Sequence, residues 1–121
     1  MLTTDQITRL LDIGLCACHS GAVYEGRTIF DGILKFRPGN VAAFTGKALS
    51  HIVVDEFQAA EEILQKQVLT KNPEDAEAKA MLGLCFLLSG RLDESRAILG
   101  TIAAQKNASG QLARDLLAGL D

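Results

Sequence analysis

The chain has 121 residues, of which 22% are charged and 48% hydrophobic, and its formal net charge is −3. This length fits one small domain, and the mild acidity argues against a nucleic-acid surface, which needs basic residues clustered on one face. The start lacks a basic and apolar leader, no apolar run reaches ~18 residues, and the cysteine number is odd, so we expect a cytoplasmic protein without membrane insertion or a disulfide framework.

In chain order, the first predicted helix opens with Thr3-Thr4-Asp5-Gln6, a capping box in which threonine and glutamine satisfy free backbone amides. Apolar residues then recur at intervals of three and four along almost the whole chain, which predicts about seven helices and no strand. Asn72-Pro73-Glu74-Asp75 predicts the start of a later helix, because proline and acidic residues are favoured in the first turn of a helix. Turn residues separate the helices at Gly21, Pro38-Gly39, Pro73, Gly90 and Ser109-Gly110.

Small residues recur with a constant spacing that indicates a repeat. Pairs twelve positions apart occur three times: Gly14 with Gly26, Ala48 with Ala60, and Gly83 with Ser95. A turn-forming residue follows the first member of each pair by seven positions, at Gly21, Asp55 and Gly90. Closely packed antiparallel helices need small side chains where their axes cross and a residue tolerant of unusual backbone angles at the turn. The spacing therefore predicts three helical hairpins.

The segment PEDAEAKAMLGLCFLLSGRLDESRAIL, residues 73–99, resembles a tetratricopeptide repeat, with the signature positions held by Leu82, Gly83, Phe86, Gly90, Leu92, Ser95 and Leu99. Residues 10–38 resemble a second copy. Residues 44–73 resemble a third, in which Asp55 replaces the turn glycine and one extra residue precedes Pro73. The resemblance implies an all-α fold in one domain, residues 1–121. We expect a right-handed α-solenoid of three helix pairs, over about residues 7–40, 41–73 and 74–107, with a capping helix over about residues 109–120.

The stretch Cys16-Ala17-Cys18-His19 places three possible metal ligands within four residues. Successive helical residues turn by ~100°, so Cys16 and Cys18 point about 200° apart and cannot bind one metal ion from a regular helix. Cys16 and His19 share a face, but a zinc site usually needs four ligands. We interpret the stretch as part of a helix with core cysteine, and we predict no metal site and no cofactor.

The sequence carries none of the tested motifs for phosphate, dinucleotide, nucleophilic-serine or zinc-protease chemistry. The paired carboxylates Glu61-Glu62 and Asp93-Glu94 are expected on solvated faces of outer helices. His51 stands where the first helix of a repeat usually has an aromatic residue, so we expect it to be packed rather than to act as a general base. The chain is not expected to be an enzyme.

The resemblance also implies a concave groove lined by the first helix of each repeat. The groove positions carried over to this chain are Leu11, Leu15, Cys18, Thr45, Leu49, Ile52, Ala80, Leu84 and Leu87. This set is almost wholly apolar, whereas repeats that clamp acidic chaperone tails carry lysine, arginine and asparagine there. We therefore expect a protein partner with an apolar helix or extended segment, recognised by apolar anchors rather than by charge.

In length, repeat layout and apolar groove, the chain resembles the small three-repeat tetratricopeptide chaperones of bacterial type III secretion systems. That resemblance implies a cytoplasmic chaperone that holds an aggregation-prone secreted or export subunit. The absence of a long extension before Thr4 favours the short chaperones of needle or export proteins. The free protein is a possible homodimer. The alternative is a generic tetratricopeptide scaffold or adaptor in another multiprotein assembly.

Overall fold

The computed structural model of the chain describes residues 2–120, which form seven helices and no strand. In chain order, the helices are α1 Thr4–His19, α2 Val23–Phe36, α3 Val41–Ile52, α4 Phe57–Glu62, which continues as a π-helix over Ile63–Leu69, α5 Ala76–Leu88, α6 Leu92–Gly100 and α7 Ala108–Leu120. No helix within this range combines the length and the apolar character that a membrane span requires. The expected all-helical solenoid of three helix pairs and a capping helix is confirmed.

The helix starts follow the local signals in the sequence. The backbone amide of Gln6 donates to the Thr3 hydroxyl at 3.1 Å, and the Thr3 amide donates to the Gln6 side chain at 2.9 Å, so the predicted capping box is present. The second predicted start differs in detail. Pro73 lies in the preceding turn, and α5 begins three residues later because Asp75 accepts the backbone N–H of Ala78 at 2.9 Å as its N-cap.

The small-residue pairs lie where paired helices contact each other. A Cβ atom added to Gly26 would lie 3.0 Å from the backbone oxygen of Gly14, which shows how closely α1 and α2 approach. In the second pair, Ala48 and Ala60 are fully buried. In the third, the buried hydroxyl of Ser95 donates to the carbonyl of Gly83 at 2.8 Å. Each crossing therefore requires a small side chain, as the spacing predicts.

The turn inside each hairpin uses the left-handed region of backbone conformation. Gly21 has φ +91° and Gly90 has φ +84°, and the residue at the equivalent position of the middle repeat, Asp55, has φ +63°. Glycine adopts this region without steric cost, and aspartate is one of the few other residues that tolerates it. The substitution at the second turn therefore leaves the hairpin geometry intact.

The extra residue of the middle repeat is absorbed by the π-helix. Gly14 and Ala48 are 34 positions apart, whereas Ala48 and Gly83 are 35 positions apart. The additional residue therefore lies after Ala48, and the segment Ile63–Leu69 forms a π-helix there. Because a π-helix bonds residues five apart instead of four, it takes up one residue without rotating the helix that follows.

Three apolar clusters fill the solenoid in chain order. The first surrounds Phe30 and Ile33 between α1, α2 and α3, and the second surrounds Leu64 and Phe86 between the middle and third repeats. The third lies beneath α7, where Ala113 packs with buried residues of α5 and α6 and of the segment that follows them. Helix α7 covers the apolar end of the last repeat and so acts as a cap.

Candidate partner-binding groove

Helices α1, α3 and α5 lie side by side, and α7 packs against α5 at the end of this row. One cavity of about 220 Å³ opens over α1 and α3, and another of about 480 Å³ opens over α5 and α7. Leu49, Glu77 and Met81 line both cavities, so the two form one continuous groove along the first helices of the three repeats.

The groove has a regular lining because the repeats present equivalent positions to it. Each first helix contributes residues spaced i, i+3, i+4 and i+7, which lie on one face of a helix. The i+7 position is leucine in all three repeats, as Leu15, Leu49 and Leu84. These three leucines, which we call the leucine row, are all partly buried and line the groove. They form an apolar band from one repeat to the next.

The floor of the groove is tightly packed. Thr45 is 4% exposed and Ala80 is 2% exposed, so each presents only a small surface at the bottom of a cavity. The Thr45 hydroxyl donates to the carbonyls of Val41 and Ala42, both at 3.1 Å. This polar group is satisfied within its own helix, so an apolar partner can cover it without leaving a donor unpaired.

The structure brings six of the nine residues assigned to the groove together in its lining: Leu11, Leu15, Thr45, Leu49, Ala80 and Leu84. The other three lie elsewhere. Cys18 and Ile52 are 3% and 4% exposed and belong to the apolar clusters between helices. Leu87 is partly buried and lines neither cavity. All three lie one turn closer to the hairpin turns than the leucine row.

Sequence reasoning missed nine residues of the lining, four of which add large apolar or charged side chains to the groove. Met81 occupies the i+4 position of α5, a column that the carried-over groove positions omit. Leu112 comes from α7, which lies outside the repeats, and is 40% exposed. Asp12 and Glu77 are exposed carboxylates on α1 and α5. Positions 12, 46 and 81 are equivalent in the three repeats, so including this column among the groove positions would have predicted Asp12 and Met81. Nothing in the repeat pattern indicates Leu112.

The lining contains negative charge but no positive charge. Asp12 and Glu77 are its only ionisable residues, and no lysine, arginine or histidine lines either cavity. Within residues 2–120, neither carboxylate has a cation at ion-pairing distance. The groove therefore offers a partner an apolar surface with two carboxylates. The groove positions predicted from the sequence contained no charged residue.

The cysteine-rich stretch of α1 divides between core and surface. Cys18 is buried, and burial raises the pKa of its thiol, whereas Cys16 and His19 are exposed. Burial also raises the pKa of Cys85 to about 11, and its Sγ donates to the backbone oxygen of Phe57 at 3.2 Å. The two buried thiols are thus protonated at neutral pH and serve as core side chains. No group of three or more possible metal ligands occurs in the part of the chain described by the structure.

Two of the remaining residues singled out in the sequence, His51 and Glu61, take part in contacts between repeats and not in a site. The Nδ1 atom of His51 lies 2.8 Å from the carboxylate of Glu56, and the same carboxylate accepts a hydrogen bond from Arg27 of α2. Glu61, which was expected on a solvated face, is instead partly buried because it pairs with Arg91 of the third repeat. The other paired carboxylates, Glu62, Asp93 and Glu94, are exposed on outer helices, as expected.

Comparison with known proteins agrees with this architecture. A family model for the tetratricopeptide repeat matches residues 55–120. The chain is similar to two solved structures of the type III secretion translocator chaperone SycD of Yersinia enterocolitica. One has 15% sequence identity and a TM-score of 0.77, covering 99% of this chain and 84% of that one. The other, an alternative dimer, has 16% identity and a TM-score of 0.69, covering 96% and 79%.

The TM-scores show that the chain shares its fold with these two structures. The sequence identity is too low to carry over anything beyond the fold. A comparison with curated proteins finds no match. The nature of the partner must therefore be argued from the groove itself.

Proposed function

Because the chain belongs to the tetratricopeptide repeat family, we propose that its groove binds an apolar segment of another protein. The observation that carries the proposal is the leucine row, Leu15, Leu49 and Leu84, which is partly exposed along a continuous concave surface. Its neighbours in the groove, Met81 and Leu112, extend the apolar surface towards α7. The proposed role is binding rather than catalysis.

The energetic scale supports a specific complex. Fully burying an apolar side chain of this size stabilises a complex by ~1.5–3 kcal/mol, so four groove side chains contribute roughly 6–12 kcal/mol before association costs. Part of each leucine is already covered in the free protein, which lowers this gross figure. The remainder is the gross apolar driving force, from which the association costs are subtracted.

The finer proposal is that the chain is a cytoplasmic chaperone of a type III secretion system, which holds an aggregation-prone secreted or export subunit. The support is the fold shared with SycD over nearly the whole chain, together with the three-repeat size and the apolar groove. Because one SycD structure is described as an alternative dimer, we also propose that the free protein self-associates. An unoccupied apolar surface favours such contacts in water.

The experiment expresses this chain together with each small secretion subunit encoded beside its gene, and measures whether the subunit stays monomeric in a purified complex. Leu49→Glu and Leu84→Glu are compared with the parent protein. Either change puts a charge where an apolar side chain must dock, so we expect binding to fall by a factor of about 100 or more. Helicity and melting temperature should change little, because both leucines are partly exposed and glutamate is a good helix former.

Leu88→Glu is the matched control. Leu88 lies on α5 one turn beyond Leu84, is 52% exposed and lines neither cavity, so this variant should bind like the parent. Binding retained at parental affinity by both groove variants would contradict the proposed docking surface. If no secretion subunit binds and no secretion gene lies nearby, the chaperone proposal fails and the scaffold alternative takes its place.

A further inference from the structure

The two carboxylates of the groove lie apart from the leucine row. Glu77 is at the i position of α5 and Asp12 at the i+4 position of α1, whereas the leucine row occupies the i+7 positions. The equivalent positions of α3 are Ala42 and Gly46, which carry no charge. The groove therefore has an apolar side, the leucine row, and an acidic side, formed by Asp12 and Glu77.

Neither carboxylate has an ion pair among the described residues, in contrast to the acids that lie between repeats. The acids that join the repeats, Glu56 and Glu61, each accept hydrogen bonds from an arginine. Glu77 lies in the first turn of α5, where the helix dipole favours negative charge. Asp12 lies in the middle of α1 and has no such local benefit. Its side chain is directed towards the groove, where it borders the cavity over α1 and α3.

A partner that covers this groove must also deal with the two charges. Covering a carboxylate with apolar or acidic groups removes it from water without compensation, which disfavours binding. A lysine or arginine at the same place replaces the lost hydration by a charge-assisted hydrogen bond. The acidic side therefore discriminates between partners that have the same apolar residues.

The arrangement also favours one backbone conformation of the partner. Successive residues of a helix are rotated by about 100°, so residues three or four apart form a stripe along one face. A single helix can therefore present an apolar stripe to the leucine row and an adjacent stripe to Asp12 and Glu77. Side chains of an extended strand alternate between opposite directions, and one of its two sets would then point away from the groove.

We propose that the segment bound in the groove is an amphipathic helix with a basic flank, whose lysine or arginine side chains pair with Asp12 and Glu77 while its apolar face covers the leucine row. This inference rests on the proposed function and makes it more specific. It predicts that the groove rejects helices with an acidic flank even when their apolar face is the same.

The test uses three fluorescein-labelled synthetic helices of about 18 residues, or five turns, with one leucine face in common. Their flanking positions carry lysine, glutamine or glutamate. We expect the lysine peptide to bind most tightly and the glutamate peptide most weakly. Each carboxylate should contribute about two- to fivefold in affinity at low salt, and this preference should shrink at high salt. Fluorescence anisotropy measures the three dissociation constants.

The double variant Asp12→Asn, Glu77→Gln should lose the preference, so that the lysine and glutamine peptides bind it alike. Glu62→Gln is the matched control because Glu62 is exposed on α4, lines no part of the groove and has no ion pair within residues 2–120. It removes the same charge and should keep the parental order of affinities.

The outcomes separate this inference from the proposed function. Equal affinity of the parent for all three peptides would overturn the basic-flank inference and leave the apolar groove as a docking surface. Failure of all three peptides to bind would contradict the groove as a docking site for helices. A preference for lysine that persists in the double variant would mean that other carboxylates attract the peptide, and this result too would overturn the inference.

Discussion

At the scale of single residues, one backbone position controls each hairpin turn. Gly21, Asp55 and Gly90 all have positive φ, and no atom lies within 4 Å of a Cβ added to either glycine. A side chain placed at Gly21 or Gly90 would contact no other atoms. Any loss of stability on substitution would therefore come from backbone strain alone. Asp55 already bears part of that strain in the middle repeat.

The turn position can be tested by exchanging residue types. We expect Asp55→Gly to raise the free energy of unfolding by about 0.5–1 kcal/mol and Gly90→Ala to lower it by about 1 kcal/mol. Gly32→Ala is the control, since Gly32 lies inside α2 with open space around it and should gain about 0.5–1 kcal/mol in a helix. Urea unfolding measures all three. A stabilising Gly90→Ala would show that the turn does not need its positive φ.

At the scale of secondary-structure elements, the π-helix of α4 is the main departure from regularity. Its segment Ile63–Leu69 keeps Leu64 and Val68 fully or almost fully buried, so the bulge preserves the apolar face of the helix. From Ala60 to Gly83 the chain has one residue more than from Gly26 to Ala48. The extra residue thus explains why a π-helix forms here, and the π-helix explains how the repeat accommodates that residue.

Removing one exposed residue from the bulge should restore an ordinary helix. We expect deletion of Gln65 to leave the fold intact and the free energy of unfolding unchanged or higher, because Leu64 and Val68 then stand three apart and still share a face. Deletion of the exposed Thr28 is the control. It would turn Phe30 and Ile33 away from the core of a regular helix and cost several kcal/mol. Circular dichroism and urea unfolding compare the two, and a Gln65 deletion that unfolds the protein would contradict this account.

At the scale of the whole molecule, arginine residues join successive repeats. Arg27 of α2 donates to the Ser50 hydroxyl at 2.9 Å and to the carboxylate of Glu56 at the start of α4. Arg91 of the third repeat donates to Glu61 of the middle repeat and stacks on the ring of Phe86 at 4.5 Å. Both junctions depend on an ionised carboxylate.

The stability that the junction between Arg27 and Glu56 contributes should depend on pH. The hydrogen bond with His51, and then that from Arg27, lowers the pKa of Glu56 from its ordinary 4.5. A lowered carboxyl pKa stabilises the fold above the ordinary pKa, and this stabilisation is lost as the pH falls through the lowered value. Glu56→Gln should therefore reduce the urea midpoint at neutral pH, and its difference from the parent should close below pH 4.5.

Glu62→Gln provides the comparison for this titration, since Glu62 is exposed and has no ion pair among the described residues. Its urea midpoint should follow that of the parent at every pH. A Glu56→Gln variant that differs from the parent equally at pH 7 and pH 3 would show that the carboxylate charge does not hold the junction.

The amino-acid sequence by itself determined the helices, the hairpin turns and the places where helices cross. Its prediction of a turn at Ser109-Gly110 was wrong, because both residues lie in the first turn of α7. Each of the features predicted correctly depends on residues close in the chain or one repeat away. The twelve-residue pairs, the turn at Asp55 and the extra residue before Pro73 could therefore be interpreted from spacing alone. In a solenoid each repeat contacts only its neighbours, so a local pattern is sufficient to predict the architecture.

Only the tertiary structure decided which of the assigned positions line the groove. Cys18 and Ile52 have the same spacing and apolar character as the groove residues, yet both are buried in the apolar clusters between helices. Leu112 reaches the groove because α7 folds back over α5, and Asp12 and Glu77 border it although they lie on different repeats. The exposure of a side chain depends on the tilt and distance of helices packed around it, and these follow from the whole set of core contacts rather than from any one segment.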